Sequence, residues 1–141
     1  MANFGERLAE LMIEKQVSSQ ILAKDIGVTS VCVNRWKRNA REIGLADLIA
    51  LCNYFECSLD YLVGKSDNDR KPSKKTIPHF GEQIRAVMKV KGANTYKMRK
   101  ETRYNGKYFH DWDKGSEPQL STLIELANYF DCSLDELVGL D

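Results

Sequence analysis

The chain is predicted to be all-α, built from two five-helix units in tandem that are joined by a basic linker. Three observations predict it. An octapeptide is written twice: Asn53-Tyr54-Phe55-Glu56-Cys57-Ser58-Leu59-Asp60 returns as Asn128-Tyr129-Phe130-Asp131-Cys132-Ser133-Leu134-Asp135. Both copies run on into Leu-Val-Gly, at Leu62-Val63-Gly64 and Leu137-Val138-Gly139. Apolar residues elsewhere in both halves recur at helical spacing. Self-similarity of this kind marks an internal repeat. Working backwards, Leu48-Ile49 matches Leu123-Ile124 at an offset of 75, whereas Trp36 matches Trp112 and Phe4-Gly5-Glu6 matches Phe80-Gly81-Glu82 at 76. One residue inserted between Trp36 and Leu48 explains the difference and marks a loop there. The copies are residues 1–64 and 80–141, with residues 65–79 between them. A unit of this size buries only about 60% of its unfolded surface, so one tight helical core per copy is expected.

In the first copy, Phe4, Leu8, Leu11 and Met12 fall on one side of a helix over 4–15. Ser18 is a good N-cap for a short second helix, 19–26, which is expected to bury Ile21, Leu22 and Ile26. Gly27 tolerates the left-handed backbone that ends such a helix. Thr29 caps a third helix from Ser30 to about Arg38. Val33 and Trp36 turn inward there, leaving Ser30, Val31, Asn34, Arg35 and Arg38 on the open side. A fourth helix runs to about Phe55, with Leu45, Leu48, Ile49, Cys52 and Phe55 on one side. Ser58 caps a last short helix over 59–63, closed by Gly64.

A tight, glycine-containing turn between the second and third helices makes a helix-turn-helix. The run Leu22-Ala23-Lys24-Asp25-Ile26-Gly27-Val28-Thr29-Ser30, then Val33 and Trp36, then the Cys-Ser-Leu-Asp-x-Leu-Val-Gly ending, resembles the lambda repressor/Cro type of regulators over residues 4–64. The resemblance implies two lambda-repressor-like DNA-binding domains and a sequence-specific transcriptional regulator of the repressor type. It implies that the third helix enters the major groove with Ser30, Val31, Asn34 and Arg35 toward base edges. Ser18, Ser19, Thr29, Arg38 and Arg41 would approach phosphates. The residue types agree, because Arg pairs bidentately with guanine, Asn with adenine, and Val meets a thymine methyl. Where that family often pairs an Arg of the first helix with a Glu ending the third, this chain has Met12 and Lys37.

In the second copy Phe80, Ile84, Val87 and Met88 repeat the first helix, and Asn94 caps a helix over 95–102 with Met98 inward. Arg103 stands where Gly27 stood. Asn105 caps the third helix, with Phe109 and Trp112 inward. Its candidate DNA-facing residues are Thr95, Asn105, Gly106, Lys107, His110, Asp111 and Lys114. Asp111 replaces Arg35 and Asp113 replaces Lys37, so two carboxylates point where phosphates would crowd. This copy is expected to read DNA weakly or with another preference. Tyr96, Tyr104 and Tyr108 suit either a protein-binding patch or a small core.

The connector Lys65–His79 is polar, holds two prolines and lacks a helical stripe, as a linker does. Its fifteen residues reach about 50 Å when extended. Half-sites on one face of duplex DNA lie about 34 Å apart, so a tether of this length lets both copies sit on one duplex. Arg70, Lys71, Lys74 and Lys75 are available to phosphate or simply to solvent.

The net charge of +1 divides into −1 over 1–64, +3 over 65–79 and −1 over 80–141, so attraction to a polyanion must come from local patches. The four cysteines form no C-x-x-C pair and no nucleophile–base pair is apparent, so no enzyme, metal or cofactor is expected. The longest strongly apolar run, Leu48 to Cys52, argues against a membrane span, and with no signal-like start it favours the cytoplasm. The expected partner is double-stranded DNA. Self-association of two chains stays open. So does a protein partner for the second copy, as in an antitoxin or antirepressor with only the first copy on DNA.

Overall fold

The computed structural model describes residues 3–141. Its helices are α1 (Phe4–Lys15), α2 (Ser19–Ile26), α3 (Ser30–Lys37), α4 (Leu45–Phe55) and α5 (Leu59–Leu62), then α6 (Phe80–Val90), α7 (Thr95–Glu101), α8 (Gly106–Asp113), α9 (Leu120–Phe130) and α10 (Leu134–Val138). Among the described residues there is no strand, only an isolated antiparallel bridge between Gly44 and Gln119.

Local chemistry starts most of these helices. The side chains of Asn3, Ser18, Thr29 and Ser58 accept from Glu6, Ile21, Cys32 and Tyr61 N–H in the first repeat. Asn94, Asn105 and Ser133 do the same in the second. Each satisfies a donor that the helix itself cannot pair. Gly27, at φ 81°, ends α2 in the left-handed region. The equivalent turn after α7 has no glycine and is rebuilt. Thr102 stays extended; its hydroxyl donates to Met98 O at 2.6 Å and accepts from Tyr104 N–H at 3.0 Å. Arg103 then avoids positive φ and lies against Glu125, 2.9 Å away. One expectation fails in α2, where Ile21 is 49% exposed and the buried residues are Leu22 and Ala23. An eight-residue helix offers the core a narrow face, and those two occupy it.

The repeats meet through reciprocal contacts. Neither α4 nor α9 has a side-chain cap of its own. Instead Leu45 N–H donates to Pro118 O (3.1 Å) and Leu120 N–H to Ile43 O (2.9 Å). One residue further on, Ala46 N–H donates to Glu117 Oε2 (3.3 Å) and Ser121 N–H to Glu42 Oε1 (3.1 Å). Every residue here is matched by its counterpart 75 positions away. The same exchange joins α5 and α10. Asp135 accepts from Leu59 N–H (2.8 Å) and Asp60 N–H (3.1 Å), while Asp60 accepts from Leu134 N–H (3.1 Å). Residue i meets j and the counterpart of j meets the counterpart of i, the pattern of a two-fold interface. Buried apolar side chains from Phe4 to Leu140 accordingly form one connected cluster through both repeats, rather than one core per copy.

The connector is docked rather than free. Arg7, 5% exposed, donates to Tyr61 O at 2.9 Å and reaches Ser66 O and Asp67 at the connector's start. Arg70 is paired with Asp141 and Lys71 with Glu56. Lys74 N–H and the Ser73 hydroxyl both donate to Leu140 O at 3.2 Å. Its extended reach is an upper limit that the docked repeats do not use. Of Arg70, Lys71, Lys74 and Lys75, the first two are therefore already engaged with carboxylates.

Candidate nucleic-acid interface

The α3 face is set by what its other side buries. Val33 and Trp36, 0% and 1% exposed, hold the helix on the core and turn Val31, Asn34 and Arg35 to solvent, with Ser30 half-buried beside them. The first and third helices approach closely. A Cβ added to Gly5 would collide with the Lys37 and Trp36 carbonyl oxygens, and one added to Gly81 would lie 2.5 Å from Asp113 Oδ1. Glycine at both places lets the third helix seat at this depth. Asn39, left-handed at φ 55°, accepts from Gly5 N–H and donates to Asn3 Oδ1, both at 3.0 Å. The loop carrying Arg38 and Arg41 is thereby tied to the start of α1. An asparagine here takes the conformation that glycine takes at Gly115, the matching position, with φ 104°.

Arg35, Lys37, Arg38 and Arg41 join no salt bridge among the described residues. Ser18 and Thr29 are exposed N-caps whose oxygens already accept a backbone N–H. Ser19 donates to Asn34 Oδ1 at 2.7 Å, a link that sequence spacing did not indicate. It fixes the amide and leaves the Asn34 NH2 free to donate outward.

In α8, Phe109 and Trp112 are buried and Gly106, Lys107, His110 and Lys114 are exposed, with Asp111 half-buried. Thr95 is exposed at the start of α7, and Asn105 is an exposed N-cap. The two carboxylates of this helix are not equivalent. Asp113 is held by Arg85 of α6 at 2.6 Å, and that hydrogen bond keeps its carboxyl below the usual range. The first-to-third-helix ion pair absent from the first repeat is thus present here, with Asp113 at the position matching Lys37 and its partner Arg85 at the position matching Ala9 rather than Met12. Asp111 joins no salt bridge among the described residues and is the one acid left on that face. Tyr104 is 1% exposed; its hydroxyl donates to Glu125 at 2.9 Å, and Tyr108 and Trp112 lie against its ring. Tyr104 and Tyr108 therefore serve the core, and Tyr96 alone of the three stands in solvent.

A short α3 set against α2 across a glycine turn, with an apolar inner side and a polar, cationic outer side, is the geometry of a helix-turn-helix. Residues 7–64 match the family model of the Cro/C1-type helix-turn-helix DNA-binding domain, and this stretch is a domain of that lambda repressor/Cro kind. The chain is also similar to repressor protein C2 of Salmonella phage P22, at 32% identity over 59 residues. That match takes in 42% of this chain and 27% of the phage protein, so the chain spans little more than a quarter of that relative. No solved structure matches the chain. No helix among the described residues is long and apolar enough to cross a membrane.

Proposed function

We propose that this chain is a sequence-specific DNA-binding transcriptional regulator of the repressor type. Residues 1–64 and 80–141 are two helix-turn-helix domains that act as a built-in dimer on one duplex. The observation that carries this is the uncovered outer side of α3. Val31 is 53% exposed, Asn34 is oriented by Ser19, and Arg35 and Arg38 have no carboxylate partner among the described residues. Arg35 would pair with guanine, Asn34 with adenine, and Val31 would meet a thymine methyl. Ser19, Arg38 and Arg41 would hold phosphate.

The built-in dimer is supported by the exchanged helix caps at α4/α9 and α5/α10, which tie both halves into one body through matched residues. Because α8 presents Lys107, His110 and Asp111 where α3 presents Val31, Asn34 and Arg35, the operator would have unequal half-sites. Selection of bound sequences from random duplexes by gel shift tests this. A recovered two-part motif with dissimilar halves is expected. Recovery of no motif, with binding no tighter than to bulk DNA, would refute it.

A further inference from the structure

The two reading helices are mounted alike, but the helices in front of them differ in charge. α2 carries Lys24 beside Asp25, and Asp25 is engaged by the Tyr54 hydroxyl at 2.8 Å. Within the same span α7 carries Lys97, Arg99 and Lys100, all exposed and none in a salt bridge among the described residues. Its one acid, Glu101, accepts from the Tyr129 hydroxyl at 2.7 Å. Among these cations stands Tyr96, 60% exposed, with the Arg99 guanidinium 5.5 Å and the Lys100 ammonium 5.9 Å from its ring centre. Cations resting on a tyrosine face are held in place without being neutralised.

The core does not require this arrangement, since α7 buries only Met98. Elsewhere in the second repeat Arg85 and Arg103 are each paired with a carboxylate, whereas these three are not. With Asp113 held by Arg85 and Glu101 by Tyr129, Asp111 is the one acid of α7 and α8 that joins no salt bridge or side-chain hydrogen bond among the described residues.

Building on the DNA-binding assignment above, we propose that the outer side of α7, Tyr96 with Lys97, Arg99 and Lys100, is a sequence-independent clamp on the phosphate backbone of the bound duplex. α7 then supplies salt-dependent affinity while α3 and α8 supply base selection. Phosphate contacts position a protein and base contacts specify its site; in the second repeat the two tasks fall on adjacent helices, α7 and α8.

The test uses the full chain with Lys97, Arg99 and Lys100 all changed to Gln, and with Lys97→Glu as a milder second variant. Affinity is measured between about 50 and 200 mM salt for the selected duplex and for an unrelated one. Each lost phosphate neutralisation lowers the slope of log K against log salt by about 0.9, so the triple variant should lose roughly 2–3 units of slope. Affinity for both duplexes should fall together and their ratio should stay within about twofold, whereas Arg35→Ala should lower the ratio about 5- to 150-fold and leave the slope nearly unchanged. An unchanged slope in the triple variant, or a ratio that collapses with it, would overturn the clamp while leaving DNA binding by α3 intact. Failure of the unaltered chain to bind either duplex would instead overturn the DNA-binding assignment and the clamp with it.

Discussion

Replacing Asp135 with alanine removes the acceptor that the other repeat provides to the Leu59 and Asp60 N–H groups at the start of α5. Leu59 is 0% exposed, so its orphaned donor costs about 1–3 kcal/mol; the Asp60 donor, at a half-buried residue, regains water more cheaply at roughly 0.5–1 kcal/mol. The expected loss near pH 5 is therefore about 2–4 kcal/mol. The pH matters, because Asp135 is itself 0% exposed and lies against Asp60; burial, more than its neighbour, pushes its carboxyl up to about 6. A carboxyl raised on folding stabilises the fold fully only below its unfolded value of about 3.9, and that contribution disappears as pH rises through about 6. The rise from about 3.9 to about 6 is worth about 3 kcal/mol in all, of which roughly 1.4 kcal/mol disappears between pH 5 and pH 8. Urea denaturation of wild type and Asp135→Ala at both pH values reads the difference directly. The exposed acids Asp113 and Glu125, lowered by their own partners, titrate alike in both proteins and cancel. The gap should be large at pH 5 and narrower by about 1–2 kcal/mol at pH 8. An alanine variant as stable as wild type at pH 5, or a gap that widens at pH 8, would refute the reasoning.

Three further outcomes follow from the same geometry. Arg35→Ala should cost about 1–3 kcal/mol of specific binding and relax base preference at one operator position, as read by repeating the selection. Gly5→Ala should destabilise the fold by about 1–3 kcal/mol in thermal denaturation and weaken specific binding as well, because the new methyl meets the carbonyl end of α3. Arg85→Ala should release the Asp113 carboxylate toward an approaching phosphate. Affinity in a low-salt gel shift should fall about two- to fivefold for any duplex, with sequence preference retained.

Much of this was legible in the sequence because it is local. Ser18, Thr29, Asn94 and Asn105 announce helix starts through their own side chains, and Val33 and Trp36 fix which side of α3 is inward. What was missed is non-local. α4 and α9 lack caps in their own sequence because each is completed by the other repeat, and spacing within one repeat carries no sign of that. The Asp60–Asp135 exchange was written in the repeated octapeptide, but as a motif ending rather than as a contact. Asp113 was expected to repel phosphate because Arg85, 28 residues away, is invisible to periodicity. Likewise Ile21 followed an apolar pattern that a two-turn helix had no room to bury.

One chain is proposed to bring two unlike reading helices to a single duplex across an exchanged-cap interface. Sedimentation of the complex with the selected duplex tests it most directly. One chain per duplex is predicted, with both halves of the motif protected from cleavage. Two chains per duplex, or protection of one half alone, would contradict it.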